Sequence, residues 1–182
     1  AISGDLDSDV SSLALKYHGF GGDTEYDLLA AGHYGDPLIG VGGNASLGGA
    51  VWRGDLTVAF TDEDDAVASL VTSLSYSWTC GGKNVSGVAE LFHNGFGRSD
   101  GCYSPVCLAE IPELYKRIAR RELFTLGRHY LALSAMIEVT PLFLLTPNVF
   151  VNLNDPSALA QLVFQNDLLQ NLQLWSAIAV PV

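Results

Sequence analysis

The sequence lacks an apolar segment that could cross a membrane as a helix. No run of about 18 or more uncharged apolar residues occurs, which is the length that a spanning helix requires. Charge is also scarce: 16% of the residues are charged and 48% are hydrophobic, with a mean hydropathy of +0.25. This composition is apolar for a water-soluble domain of 182 residues. The apolar residues are therefore spread along the chain rather than concentrated in one segment.

The most apolar stretch, residues 131–153, tests this conclusion. Pro141 and Pro147 would break a helix there, and Glu138 lies in its middle. The enrichment in valine, threonine and phenylalanine favours strands. We therefore predict two strands joined by a turn at residues 139–141, with a membrane helix as the alternative.

Basic residues are few. Nine lysines and arginines stand against 20 aspartates and glutamates, which gives a net charge of -11 and a pI near 4.5. A nucleic-acid partner is not expected, because proteins that bind nucleic acids carry a basic patch or stripe.

Residues 1–5 lack the basic region and apolar core of a signal peptide, so we expect a mature form or a fragment.

Motifs of catalysis and metal binding are missing. The chain has no G-x-S-x-G, no Walker-type loop, no cysteine or histidine pair at zinc spacing and no H-E-x-x-H. We expect no enzyme activity, no metal and no cofactor. The alternative is a barrel enzyme of the phospholipase kind, for which His129 near Ser134 is the available pair.

Cysteines are limited to Cys80, Cys102 and Cys107, which allow at most one disulfide. We predict a bond between Cys102 and Cys107, which are close together in a loop-like segment, in an oxidising compartment. The alternative is that all three are simple small residues.

What the sequence does contain is a period-two alternation of apolar and polar residues along nearly its whole length. Between Ala66 and Thr79, one face has alanine, leucine, tyrosine and tryptophan, and the opposite face is rich in serine. Lipid outside and water inside a barrel would select such a strand. The pattern predicts about ten strands, at residues 10–20, 24–34, 38–47, 51–61, 66–79, 84–94, 128–139, 142–152, 158–165 and 171–182.

The connections alternate between short turns and longer loops, as in outer-membrane barrels. The longest covers residues 96–126 and contains a predicted helix at 105–122 with four basic residues: Lys116, Arg117, Arg120 and Arg121. This helix either folds inward and biases a pore toward anions, or forms a cap that faces solvent or lipopolysaccharide. Assigning the long loop to the outside, with the acidic turn at residues 62–65, places Cys80 at the opposite end, away from the loop cysteines.

Charged residues recur on the polar side of the strands. Each would cost several kcal/mol if buried in hydrocarbon, so these residues must face water or each other. They are candidates for lining a pore, or alternatively for a salt-bridged plug in a narrow barrel. The candidates are Lys16, Glu25, Asp27, Arg53, Asp55, Glu90, Arg128 and Glu138.

The segments AVWRGDLTVAF, VAELFHNGFG and RRELFTLGRHYLAL, together with the closing hairpins from residue 149 onward, resemble successive strands of porin-like bacterial outer-membrane barrels. The resemblance is one of pattern and covers most of the chain. It implies an outer-membrane location, with lipid, lipopolysaccharide and small polar solutes as partners, and it is compatible with an oligomer. The chain ends at Pro181-Val182 instead of an aromatic residue, so further strands are expected elsewhere.

The prediction is thus a single all-β domain over residues 1–182, an antiparallel up-and-down transmembrane barrel that acts as a passive pore for small polar or charged solutes. One alternative is a soluble all-β calyx that holds an apolar ligand; another is a non-conducting structural or adhesive barrel. Aromatic residues near strand ends on the apolar side favour lipid over the calyx. They are Tyr17, Tyr26, Tyr34, Trp52, Phe60, Tyr76 and Trp78.

Overall fold

The computed structural model describes residues 11–62 and 66–182, which fold into one antiparallel sheet and two short helices. Within these residues ten strands lie side by side in chain order, so the predicted all-β antiparallel fold is confirmed. The strands are β1 (Ser12–Gly21), β2 (Thr24–His33), β3 (Asp36–Leu47), β4 (Ala50–Ala59), β5 (Val67–Cys80), β6 (Lys83–His93), β7 (His129–Thr140), β8 (Phe143–Asn152), β9 (Ala158–Leu169) and β10 (Leu172–Pro181). Residue 10, where the first predicted strand began, and residues 63–65 of the predicted acidic turn lie outside the described residues.

Glycine-rich turns join the strands at one end of the sheet. Gly48 and Gly49 have φ values of +58° and +95°, and Gly81 and Gly82 have +59° and +74°. Positive φ at both central residues is what a type I′ hairpin turn requires, and glycine adopts it without strain. We call this end the turn end. The opposite end, the loop end, carries residues 34–35, 60–62, 66, 94–128 and 153–157 between the strands.

One face of the sheet is apolar across all ten strands. The register aligns Leu28, Val41, Leu56 and Leu70 in a row from β2 to β5. Farther along, Leu133 of β7 lies between Ala89 of β6 and Val149 of β8. We call this side the apolar face and the opposite side the polar face.

The apolar face is the more exposed of the two. In β2 the side chains of Tyr26 and Leu28 are exposed, whereas those of Glu25 and Asp27 between them are half-buried. In β5, Leu74 is 45% exposed and Trp78 is 42% exposed. A water-soluble sheet shows the reverse pattern, with its polar side chains in solvent and its apolar ones covered.

Bulky rings on the apolar face lie over glycines. A Cβ added at Gly87 would lie 2.9 Å from the Trp78 ring, and one at Gly19 would lie 2.5 Å from the Tyr26 ring. The absence of a side chain at these glycines lets the rings lie flat against the backbone. Polar groups on this face are paired within the sheet as well: the Trp52 indole donates to the Thr72 hydroxyl at 2.9 Å.

The sheet is not closed into a barrel within the described residues. There β1 pairs with β2 alone and β10 with β9 alone, so both are edge strands. Large side chains on these edges are exposed, Leu13 at 82% and Ile178 at 61%. The predicted closed barrel is therefore replaced by an open ten-stranded sheet. Alternation along a strand fixes its two faces, but it carries no information on whether the first and last strands pair.

A small apolar core lies at the loop end, where the helices α1 (Pro105–Ala109) and α2 (Pro112–Ala119) pack against the sheet. Leu114 is 0% exposed and belongs to the same cluster as Ala59 and Phe96. The predicted single helix at 105–122 is thus divided in two. Pro112 disfavours a helical conformation at the residue before it and starts α2 as its first residue.

Candidate functional site

The polar face carries most of the charged residues that the sequence singled out. Seven of the eight are in strands and project from this face: Lys16 in β1, Glu25 and Asp27 in β2, Arg53 and Asp55 in β4, Glu90 in β6 and Glu138 in β7. One row across five strands joins Glu25, Asn44, Arg53, Ser73 and Glu90. The eighth, Arg128, lies just before β7 at the loop end, where its Nε donates to the Gly97 carbonyl at 2.9 Å.

Asp27 is the charged centre of the first hairpin. Its Oδ1 lies 3.1 Å from Lys16 Nζ and 2.8 Å from His18 Nδ1. Within the parts of the chain described, the one other ion pair between a carboxylate on the strands of the polar face and a lysine or arginine joins Asp36, at the start of β3, to Arg117 of α2. The face is therefore not filled by a network of salt bridges.

Three other carboxylates of the polar face have amide partners instead of cations. Asn44 Nδ2 donates to Glu25 Oε2 at 2.8 Å, and Asn84 Nδ2 donates to Glu138 Oε2 at 2.8 Å. Asp167 of β9, which the sequence did not single out, accepts from Gln173 Nε2 at 2.6 Å. An amide donor stabilises an ionised carboxylate without cancelling its charge.

Two glycines leave room between these side chains. Gly42 of β3 lies between Asp27 and Asp55 in the register, and Gly40 lies between Leu29 and Thr57. An added Cβ at Gly42 would lie 2.2 Å from Asp55 Oδ1. A recess of about 110 Å³ remains there, bordered by Lys16 and the two aspartates. The sequence predicts such room, because glycines at alternate positions of a strand leave space on its inner face.

Helix α2 lies on the polar face at the loop end. Its Leu114 packs in the cluster with Ala59, and Leu38 and Val67, which flank Ala59 on the polar face, border the same cluster. An ion pair fixes the helix to the start of β3, because Arg117 Nη2 donates to Asp36 Oδ2 at 2.6 Å. The long loop is therefore folded over the loop-end part of the polar face.

Arg117 is buried, with 5% exposure, and has several partners at once. Its Nη1 donates to Glu122 Oε2 at 2.8 Å, and Glu113 lies within ion-pair distance at 3.7 Å. The guanidinium carbon is 4.0 Å from the centre of the Phe96 ring, a cation–π contact. A buried guanidinium with this many acceptors holds one fixed position for the helix.

A second buried arginine, Arg98, organises the first part of the loop. It makes a two-pronged contact with Asp100, contacts the Cys107 carbonyl, and lies 3.2 Å from Glu110 Oε2. The guanidinium lowers the pKa of the Asp100 carboxyl well below its usual range, and the hydrogen bond from the Cys102 amide lowers it further. The carboxylate is thereby kept ionised.

The two loop cysteines are joined. Cys102 and Cys107 form a disulfide whose Cα atoms are 5.9 Å apart. Cys80 is a free, exposed thiol at the turn end of β5, far from this bridge along the strands. The pairing is the one that the sequence predicted.

Asparagines attach the loop to the sheet, and sequence reasoning missed them. Asn94 is 0% exposed; its Nδ2 donates to the Thr125 carbonyl at 3.2 Å, and its Oδ1 accepts from the Phe96 amide at 3.1 Å. Asn154 Oδ1 accepts from the backbone amides of Arg128 and His129. An asparagine after a predicted strand is a weak signal, because it is as common in exposed turns as in buried caps.

The basic residues of the predicted loop helix are largely compensated. Lys116 Nζ lies 2.8 Å from Glu113 Oε1, and Arg120 Nη1 lies 3.8 Å from Glu122 Oε1. Arg120 also lies over the Tyr34 ring at 4.5 Å. With Arg117 buried in its own ion pairs, α2 does not present an uncompensated basic surface to the polar face.

The histidine and serine weighed as a catalytic pair are not brought together. His129 projects from the apolar face, where its ring centre is 4.9 Å from that of His93. Ser134 is five positions farther along β7, on the polar face. Side chains an odd number of positions apart in a strand point to opposite sides of the sheet.

No protein-family model matches the chain, and comparisons with curated proteins and with solved structures found no similar protein. Across residues 11–62 and 66–182, no helix is long and apolar enough to cross a membrane. The indications of function are therefore the two faces of the sheet and the loop folded over one of them.

Proposed function

We propose that this chain forms the wall of a membrane-spanning β-barrel that acts as a passive pore for small polar or charged solutes in a bacterial outer membrane. The apolar face contacts lipid, and the polar face surrounds the aqueous channel. One observation carries the proposal. Large apolar side chains of the strands are exposed, while the carboxylates Glu25, Asp27, Glu90 and Glu138 on the opposite face are half-buried. Arg53 and Asp55 of β4 are exposed.

The dimensions of the apolar face suit a bilayer. In β5, the apolar row runs from Ala68 to Trp78, about 34 Å at the usual rise of a strand. At the tilt typical of membrane barrels this row spans about 26 Å of membrane thickness, close to the apolar band of about 25 Å in such proteins. Strands of 10 to 14 residues are correspondingly long enough to cross.

A soluble calyx is less well supported. It would bury the apolar side chains of the strands against each other around a ligand and expose the polar side chains. The apolar core found in the described residues instead lies on the polar face, under α2, and consists of few residues. The exposed tryptophans Trp52 and Trp78 near the turn end suit a membrane interface better than a calyx wall.

Closure into a barrel requires partners for the two edge strands. β1 runs from the loop end to the turn end, and β10 runs in the opposite direction. The two edges are therefore antiparallel to each other, so they can pair together or accept an even number of further strands between them. Either arrangement preserves the alternation of turns and loops that membrane barrels show.

The test uses the three tryptophans, since Trp52 and Trp78 lie on the apolar face and Trp175 of β10 lies on the polar face. Variants that keep one tryptophan and replace the other two by phenylalanine are reconstituted in vesicles with brominated lipids. We expect strong quenching of Trp52 and Trp78 fluorescence and weak quenching of Trp175, with the reverse order for aqueous iodide. Equal quenching of all three by iodide, or strongest lipid quenching at Trp175, would refute the orientation.

Conductance is measured on the same preparation. Single-channel steps in planar bilayers support the pore, whereas lipid-facing tryptophans without any conductance support the non-conducting barrel instead. A chain that remains monodisperse in buffer without detergent favours the calyx.

A further inference from the structure

The polar face has an excess of negative charge. Asp36, at the start of β3, is paired with Arg117 of α2. Apart from that pair, the strands of this face carry, among the residues described, six carboxylates against one lysine and one arginine, an excess of four negative charges with histidines neutral. The carboxylates are Glu25, Asp27, Asp55, Glu90, Glu138 and Asp167, and the cations are Lys16 and Arg53.

Most of this negative charge is left uncompensated locally. Glu25, Glu138 and Asp167 have amide partners, which hold the carboxylates in place and leave their charge intact. Asp27 has the lysine partner, 3.1 Å away. Because the side chains lie in one face rather than in separate loops, their fields add in the space in front of the sheet.

The loop does not reverse this sign. Arg98 is bound to Asp100 and Glu110, and Arg117 to Asp36 and Glu122. Both arginines are buried, so their charges are used in fixing the loop. Of the four basic residues that the sequence suggested as an anion filter, Lys116, Arg117 and Arg120 are thus paired with carboxylates of the loop and of β3.

Resting on the proposed function, we infer that the pore selects small cations over anions, and that the polar face of β2–β6 sets this preference. The glycines at positions 40 and 42 keep Asp27 and Asp55 accessible from the channel, because no side chain of β3 stands between them. At physiological ionic strength a charge acts over about 8 Å, which is comparable to the radius of a narrow pore. Cations are therefore concentrated in front of this face and anions are depleted.

The experiment measures the reversal potential of the intact chain in planar bilayers under a KCl gradient. We expect potassium to be more permeant than chloride. The variant with Glu25→Gln, Asp55→Asn and Glu90→Gln removes three negative charges with nearly unchanged side-chain shape, and its reversal potential should move toward zero. Arg53→Gln should move it the other way. Asp23→Asn, in the turn outside the strands, serves as the matched control and should have the smallest effect.

The unmodified protein gives a second measurement that does not depend on a variant folding. The preference for potassium should be larger at 0.1 M than at 1 M KCl, because the Debye length falls from about 10 Å to about 3 Å. Conductance with a preference for chloride, or a preference that the triple substitution leaves unchanged, would overturn cation selectivity while leaving the pore in place. Complete absence of conductance would overturn the pore and the selectivity together.

Discussion

Replacing Leu114 by alanine should release the long loop from the sheet without unfolding the sheet. Leu114 has no exposed surface and packs with Ala59 and Phe96 in the core at the loop end. Truncating a fully buried leucine costs about 2–5 kcal/mol. The strands are held by their own ladders of hydrogen bonds away from this core, so the cost falls on the docking of α2 and not on strand pairing.

Limited trypsin digestion measures this release, since Lys116 and Arg121 are cleavage sites within the loop. A loss of 2–5 kcal/mol raises the opening constant by about 30-fold to several thousand-fold. The cleavage rate rises by the same factor when opening and closing are fast compared with cleavage. The matched control is Val106→Ala in α1, where the side chain is 75% exposed and the expected change is about two-fold or less.

Two results would refute the reasoning. If Leu114→Ala is cleaved no faster than Val106→Ala, the loop is held by something other than the apolar core. If strand circular dichroism is lost together with loop protection, the loop and the sheet form one cooperative unit. Both measurements are made in detergent, so that the apolar face remains covered.

Two further predictions concern the charged anchors of the loop. Arg117→Met keeps an unbranched apolar stem but leaves Asp36 without its cation, so α2 should lose about 3–5 kcal/mol of protection, measured by hydrogen exchange. Protection equal to wild type would contradict this role. Acid should loosen the segment around Arg98, because the pKa of the Asp100 carboxyl is depressed in the folded state. The ionised carboxyl stabilises the folded loop fully above about pH 4, and this stabilisation is lost as the pH falls toward the folded-state pKa. Proteolysis between pH 6 and pH 3 should show the onset of this loss, and Asp100→Asn should remove the part of the pH dependence that comes from this carboxyl, leaving that of Glu110.

The strands and their two faces could be predicted from the sequence because neighbouring side chains of a strand point to opposite faces, so the two environments alternate along the sequence itself. Alternation every second residue placed all ten strands, and it placed residues such as Arg53 and Glu90 on the same side. The end of β9 was predicted too early, at residue 165, because Asn166 and Asp167 resemble a turn. In the structure both are paired across the sheet, opposite Leu174 and Gln173.

The loop and the closure of the sheet could not be predicted in the same way. Which face α2 packs against depends on Leu114 meeting Ala59 and on Arg117 meeting Asp36, contacts between residues far apart in the chain. The prediction of one helix at 105–122 overlooked Pro112, which is a local signal for a new helix because prolines commonly begin helices. The alternation of apolar and polar residues in β1 and β10 does not tell whether these two strands pair with each other or with further strands.

The tight turns at one end of the sheet have a consequence for how such a wall can change in size. Each hairpin begins and ends at the loop end, so a duplicated hairpin can be inserted without reversing the direction of any neighbouring strand. In the proposed barrel, the circumference would then grow in steps of two strands, about 10 Å at a time. Copying or deleting one hairpin would widen or narrow the proposed channel and leave the character of the outer surface unchanged.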